Sequence, residues 1–181
     1  MASGSISRIS IRQATPADAE LLAALGSETF QDTFGPENTD DDMAMYLGAA
    51  FGAEQQLAEL SDPRHTVFFA EREVGTVGYV MLREGPPPDG VKEPDVLEIV
   101  RLYSVKRSIG SGVGAALMQR SLDEAAARGK SAIWLGVWEH NARAIAFYRR
   151  WGFSIAGTLP FTLGSDHQTD YVMVRRVSEP N

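Results

Sequence analysis

The stretch RLYSVKRSIGSGVGAALM (residues 101–118) runs from a β-prone apolar segment through glycines at 110, 112 and 114 into a segment whose apolar positions recur every three and four residues. A strand feeding glycines and then a helix is one way a chain builds an anion seat. Glycine lets the backbone approach closely, and the first-turn amides of a helix lack an internal partner and carry the positive end of its dipole. The helix extends through GVGAALMQRSLDEAAARG, with Gly129 where a C-terminal stop belongs. Three alternate glycines also make a plain flexible turn, so the surrounding sequence must say whether an anion is held, and which.

Three chemistries place glycines between a strand and a helix. The mononucleotide P-loop needs a Lys-Ser/Thr pair after its last glycine, and here Ala115 and Ala116 follow Gly114. A dinucleotide fingerprint is met in form by Gly110, Gly112 and Ala115, with Glu139 ending the next strand. That fingerprint opens its sheet at the first strand, whereas most of this chain precedes the glycines and too little follows to complete a doubly wound sheet. The third is a pyrophosphate seated on successive amides.

Working outward, RISIRQA alternates as a strand, and TPADAELLAALGSETFQDTF starts a helix with Thr15 as cap, Pro16 in the first turn and Asp18 facing the orphan amides. DDDMAMYLGAAFGAEQQLAEL reads as a second helical region, and SDPRH as a turn. TVFFAER and GTVGYVMLR form a hairpin, EGPPPDGVKEPD is loop, and VLEIVRLYSV is a third strand. After the glycine helix come the strand SAIWLGVW, the short helix NARAIAFYRRW, and closing strands GFSIAGTLPF and TDYVMVRRV. There is no internal repeat or linker, so residues 6–177 are expected to be one mixed α/β domain. The Ser/Gly-rich residues 1–5 are expected to be disordered, and 178–181 to be a tail.

Composition removes several function classes. The 181 residues include no cysteine, which excludes disulfides, thiolate metal sites and a cysteine nucleophile. A net charge of −7 disfavours nucleic acid. No apolar run spans a membrane and MASGSISRISIRQ lacks a secretory core, so a soluble, cytoplasmic protein is expected. His65, His140 and His167 have no ligand spacing, and no metal is expected. No G-x-S-x-G frames Ser111, which argues against a serine hydrolase.

The tie over the glycines breaks at WLGVWEHNARAIAFYRRWGF (residues 134–153). On a helix starting near Asn141, positions 141, 144, 145 and 148 share a face, so Asn141 and Tyr148 project together. Tyr148 alone reads first as a core aromatic with a satisfied hydroxyl.

Together, RLYSVKRSIGSGVGAALM and the pattern N-x-x-A-x-x-F-Y-x-x-x-G-F in NARAIAFYRRWGF resemble the acetyl-CoA-binding core of the GNAT superfamily of N-acetyltransferases, a likeness covering about residues 6 to 177. Within it, SETFQDTFGPENTDDDMAMYLGAAF, LEIVRLY and FTLGSDHQTDYVM are similar to bacterial polyamine acetyltransferases of the PaiA type. The resemblance implies an α/β GNAT fold: a central, mostly antiparallel mixed sheet of six or seven strands, splayed between strands 4 and 5 and flanked by about four helices.

The resemblance also implies site residues. Tyr103, Ser104 and Val105 would hold the pantetheine arm of acetyl-CoA, and Gly110, Ser111, Gly112, Val113, Gly114 and Ala115 its pyrophosphate. Ile109 departs from the family, which usually has Gln or Arg there. Asn141 would hydrogen-bond the cosubstrate or a water beside it. Tyr148 is the implied general acid, since a phenol holds its proton at neutral pH. Glu98 in VLEIVRLY is the expected base, with a structural charge paired to the flanking Arg101 as the competing reading. For a polyamine acceptor, Glu28 and Asp32 would hold distant ammonium groups, and Phe34 with Phe30 would line a methylene channel. Other acceptors fit the same chemistry (a protein N-terminus, an amino acid, an antibiotic amine), as does a sensor that binds acyl-CoA without turnover. Homodimers are common among similar proteins, but no interface is legible.

Overall fold

In the computed structural model, which describes residues 8–177, the expected hairpin is the centre of the sheet. Strands β2 (His65–Arg72) and β3 (Gly75–Glu84) pair antiparallel. Their runs Val67–Ala70 and Val77–Leu82 are buried on both faces, so helices must cover both. On one face lies α4 (Val113–Ala127), which Gly78 admits: a Cβ there would stand 2.8 Å from both Val113 Cγ1 and the Tyr103 carbonyl oxygen. On the other lies α1 (Ala19–Phe34), where Tyr79 reaches Gly26.

The remaining elements are β1 (Ser10–Gln13), α2 (Asp40–Ala50), α3 (Ala53–Ser61), β4 (Val96–Ser104), β5 (Ala132–Trp138), α5 (Ala142–Arg150), β6 (Ser154–Leu163) and β7 (Asp166–Arg176). The strand order is β1-β2-β3-β4-β5-β7-β6. Only β4 and β5 run parallel, as a crossover through α4 requires. The described residues hold five α-helices rather than four. The second helical region divides at Gly52, whose extended backbone (φ −63°, ψ 149°) ends α2 and starts α3. None of these helices is long and apolar enough to cross a membrane. The termini expected to be disordered or a tail lie outside the described residues.

Two irregularities make the site. Against β3, Leu82 pairs with Ile99 but Met81 pairs with Arg101, so Val100 is an extra residue in β4. This bulge puts Glu98, Arg101 and Tyr103 on one face, the face of α1. Second, β4 and β5 pair only from Val96–Ala132 to Ile99–Leu135. Beyond that, β4 follows β3 to Ser104 and β5 follows β7 to Trp138, and the sheet opens between them.

Candidate active site

The opening between β4 and β5 leads into a cavity of about 740 Å³, within the usual size of ligand sites. Its walls are the parted strand ends, the glycine turn and α5, and its far end is closed by α1 and α2.

At the glycine turn, Gly110 (φ 79°) and Gly112 (φ 89°) take the left-handed conformation that other residues avoid. Ala116 N–H is the first helical amide with an internal partner, donating to Gly112 O at 3.0 Å. The amides of Val113, Gly114 and Ala115 precede it and are the orphan donors of α4. Ser111 differs from expectation: its amide and hydroxyl both donate to Ser108 O, at 3.2 and 2.6 Å, and are spent holding the turn. Arg72, from the end of β2, donates from Nη2 to Ser111 O at 2.7 Å and pins the loop from behind. The Val113 side chain is core, leaving only its amide for a ligand. Ile109 lines the cleft and is 44% exposed.

On α5, Asn141 is the N-cap, its Oδ1 accepting from Ala144 N–H at 3.2 Å. That oxygen is already engaged, which leaves the Nδ2 donor for any ligand. Two turns on, Tyr148 lines the cleft with a hydroxyl that has no hydrogen-bond partner among the described residues, and burial pushes its pKa up to about 12. Tyr103 and Ser104 line the opposite wall. Val105 does not: its side chain is buried and its amide donates to Val77 O at 3.0 Å.

The carboxylates fall differently from expectation. Glu98 reaches the cleft but is clamped by Arg83 across the strand pair, with Oε2 2.6 Å from Nη2 and 2.8 Å from Nε. Glu98 therefore stands in an ion pair with Arg83, whose side chain is 43% exposed. Glu28 and Asp32 stand exposed on the outer side of α1 and line no part of the cavity. Phe34 does line it, within an aromatic chamber: Phe30 lies 4.5 Å from Phe34 and 4.6 Å from Tyr46, Phe34 lies 6.2 Å from Trp138, and Tyr46 lies 5.6 Å from Phe161, centroid to centroid.

Asp170 was not anticipated from the sequence. It sits on β7 opposite Trp138 and Leu159, and its carboxylate leans over Gly136, where an added Cβ would meet Oδ2 at 3.3 Å. It lines the cleft and has no ion-pair or hydrogen-bond partner among the described residues. Burial, and then the charge of Glu139, raise its pKa to about 6. A signal existed in TDYVMV: period-two alternation puts Asp170 on the same face as Val172 and Val174, a lone carboxylate on an apolar stripe. No group of three or more His, Asp or Glu among the described residues is placed to hold a metal.

A cleft between diverging parallel strands, with orphan helix amides at one end, is the geometry the glycines and NARAIAFYRRWGF implied. The sequence profile of the acetyltransferase (GNAT) family matches residues 26–153. The chain belongs to that family. It is 37% identical over 160 residues to an uncharacterised N-acetyltransferase of Mycobacterium tuberculosis, covering 88% of this GNAT chain and 98% of the relative. Its fold is similar to the PaiA N-acetyltransferase of Thermoplasma acidophilum, solved with coenzyme A, at a TM-score of 0.74 and 18% identity over 93% of this chain and 99% of that one. A Salmonella typhimurium acetyltransferase solved with acetyl-CoA superposes with a TM-score of 0.71 at 20% identity, covering 97% of each chain. Both structural likenesses are of fold. Family membership makes the protein an acetyltransferase.

Proposed function

We propose that this GNAT acetyltransferase moves acetyl from acetyl-CoA to the primary amine of a small molecule, a polyamine first among acceptors, with Tyr148 as general acid. The observation carrying the reading is that the parted strands bring three things into one cleft: orphan amides, an unpartnered phenol and an unpartnered carboxylate. These residues fit coenzyme A. The amides of Gly112, Val113, Gly114 and Ala115 suit a pyrophosphate, and the β4 edge at Tyr103 and Ser104, free of β5, suits the amides of a pantetheine arm.

Acetyl-CoA brings an acetyl group activated as a thioester. The chain's own residues hold the amine in line with it and protonate the departing sulfur. Tyr148 suits the second task by its place: its unpartnered hydroxyl lines the cleft, and burial keeps it protonated at neutral pH. At the acceptor end, the aromatic walls suit methylene groups. Asp170, on the cleft wall, and Glu139, whose charge reaches it, suit an ammonium group there.

The test is free-thiol release from acetyl-CoA with spermidine, spermine, amino acids, an aminoglycoside and a short peptide, on wild type and Tyr148→Phe. Saturable release with the polyamines, reduced about 100-fold in Tyr148→Phe with coenzyme A affinity kept, is the expected outcome. Release only with another amine overturns the polyamine assignment. Silence with all of them, with coenzyme A still bound, overturns the enzymatic reading in favour of a sensor.

A further inference from the structure

We infer that Asp170, not Glu98, is the catalytic base: it receives the acceptor's ammonium group against the floor of the aromatic chamber and takes its proton. The inference rests on the acetyl-transfer reading above and adds to it the group that makes the amine nucleophilic. Geometry separates the two carboxylates. Glu98 is occupied by Arg83, whereas Asp170 faces the cleft with no partner among the described residues. Gly136 lies beneath it, and the missing side chain there leaves room that the carboxylate uses.

The titratable groups that reach Asp170 are Glu139, beyond the end of β5, and Tyr46, from α2. Across the cleft β4 contributes Arg101, held by Glu59, and Glu98, held by Arg83. On α5, Arg143 and Arg150 also line the cleft, and His140 lies 3.7 Å from Glu139, but the charge that acts on Asp170 itself is that of Glu139, in a desolvated site. An ammonium is attracted, and the carboxylate's raised pKa brings its basicity closer to that of the amine it must deprotonate.

The proton balance closes. One ammonium proton passes to Asp170 and then to solvent. The neutral amine attacks the thioester carbonyl carbon, the C–N bond forms and the C–S bond breaks. The sulfur takes the Tyr148 proton, and the second N–H proton, shed as the amide forms, restores the phenol.

The experiment compares wild type, Asp170→Asn, Glu98→Gln and Gly136→Ala in kcat/KM from pH 5 to 9, with coenzyme A affinity by calorimetry and urea stability at pH 4 and 7. Wild type is expected to show an acidic limb near pH 6. Asp170→Asn is expected to lose about 100-fold in kcat/KM together with that limb, at unchanged coenzyme A affinity. Gly136→Ala, which keeps Asp170 but crowds it, is expected to lose activity in the same direction. A second readout needs no cosubstrate. A carboxyl whose folded pKa is raised costs stability once ionised, so Asp170→Asn gains stability over wild type at pH 7 and loses that gain at pH 4. An acidic limb that survives in Asp170→Asn and disappears in Glu98→Gln overturns the inference, as does an absent stability gain at pH 7. A wild type inactive on every amine overturns the acetyl-transfer reading itself, a result distinct from an active Asp170→Asn.

Discussion

Glu59→Gln should destabilise this protein far more than an ordinary surface substitution. Arg101, beside the β4 bulge, places Nη1 at 2.8 Å from Glu59 Oε2 and Nη2 at 3.3 Å from Oε1, with the two side chains only 11% and 13% exposed. The guanidinium also lies 4.6 Å from the Phe51 ring centroid and donates to Gln56 Oε1 at 3.3 Å. This cluster ties α3 to the strand that forms the cleft wall. Removing one partner of such a pair leaves the other charge desolvated and uncompensated, at a cost of about 3–5 kcal/mol. The amide that replaces the carboxylate keeps its shape and one carbonyl acceptor, and Gln56 remains, so the lower end, about 3 kcal/mol, is expected. For a chain of this length that lowers Tm by about 6–12 °C. Urea unfolding followed by circular dichroism gives the free energy, and a thermal scan gives Tm. Adding Arg101→Met should return part of the loss, because the double variant buries no lone charge. A Tm within about 2 °C of wild type, or a double variant whose loss equals the sum of the singles, would refute the reasoning.

Gly112→Ala puts a Cβ on a residue with φ 89°, and reorientation of the first-turn amides should raise the coenzyme A dissociation constant about tenfold (~1.4 kcal/mol) by calorimetry. Ile109→Arg adds a cation at a position that lines the cleft, and should tighten coenzyme A several-fold at low salt; the gain should vanish near 1 M salt, where screening acts within about 3 Å. Asp18 accepts from Arg12 at 2.9 and 3.0 Å, and these bonds lower its pKa from 3.8 to about 2. A depressed folded pKa stabilises above the unfolded value and is lost below it. Asp18→Asn should therefore be less stable than wild type above about pH 5, with the gap closing between pH 4 and 2 in urea midpoints.

What depends only on neighbours along the chain was legible in the sequence. Helix α4 follows from its three-and-four spacing, the β2–β3 hairpin from two apolar runs around a glycine turn, and the turn at Gly110 and Gly112 from residues that alone adopt positive φ easily. The shared face of Asn141 and Tyr148 was equally legible, because one helix of fixed pitch sets it. The acid-base assignment was not local in this way. Whether Glu98 is free depends on Arg83, which faces it across an antiparallel ladder, and on a bulge at Val100 that no residue type announces. Glu28 and Asp32 share a face of α1, but the opposite face is the one packed on the sheet. Asp170 joins the site because β7 inserts between β5 and β6, so a residue distant in sequence from the glycine turn lines the same cleft. Periodicity along a chain sets conformation and face. Which charges meet, and how much water they lose, is set by strand order and packing.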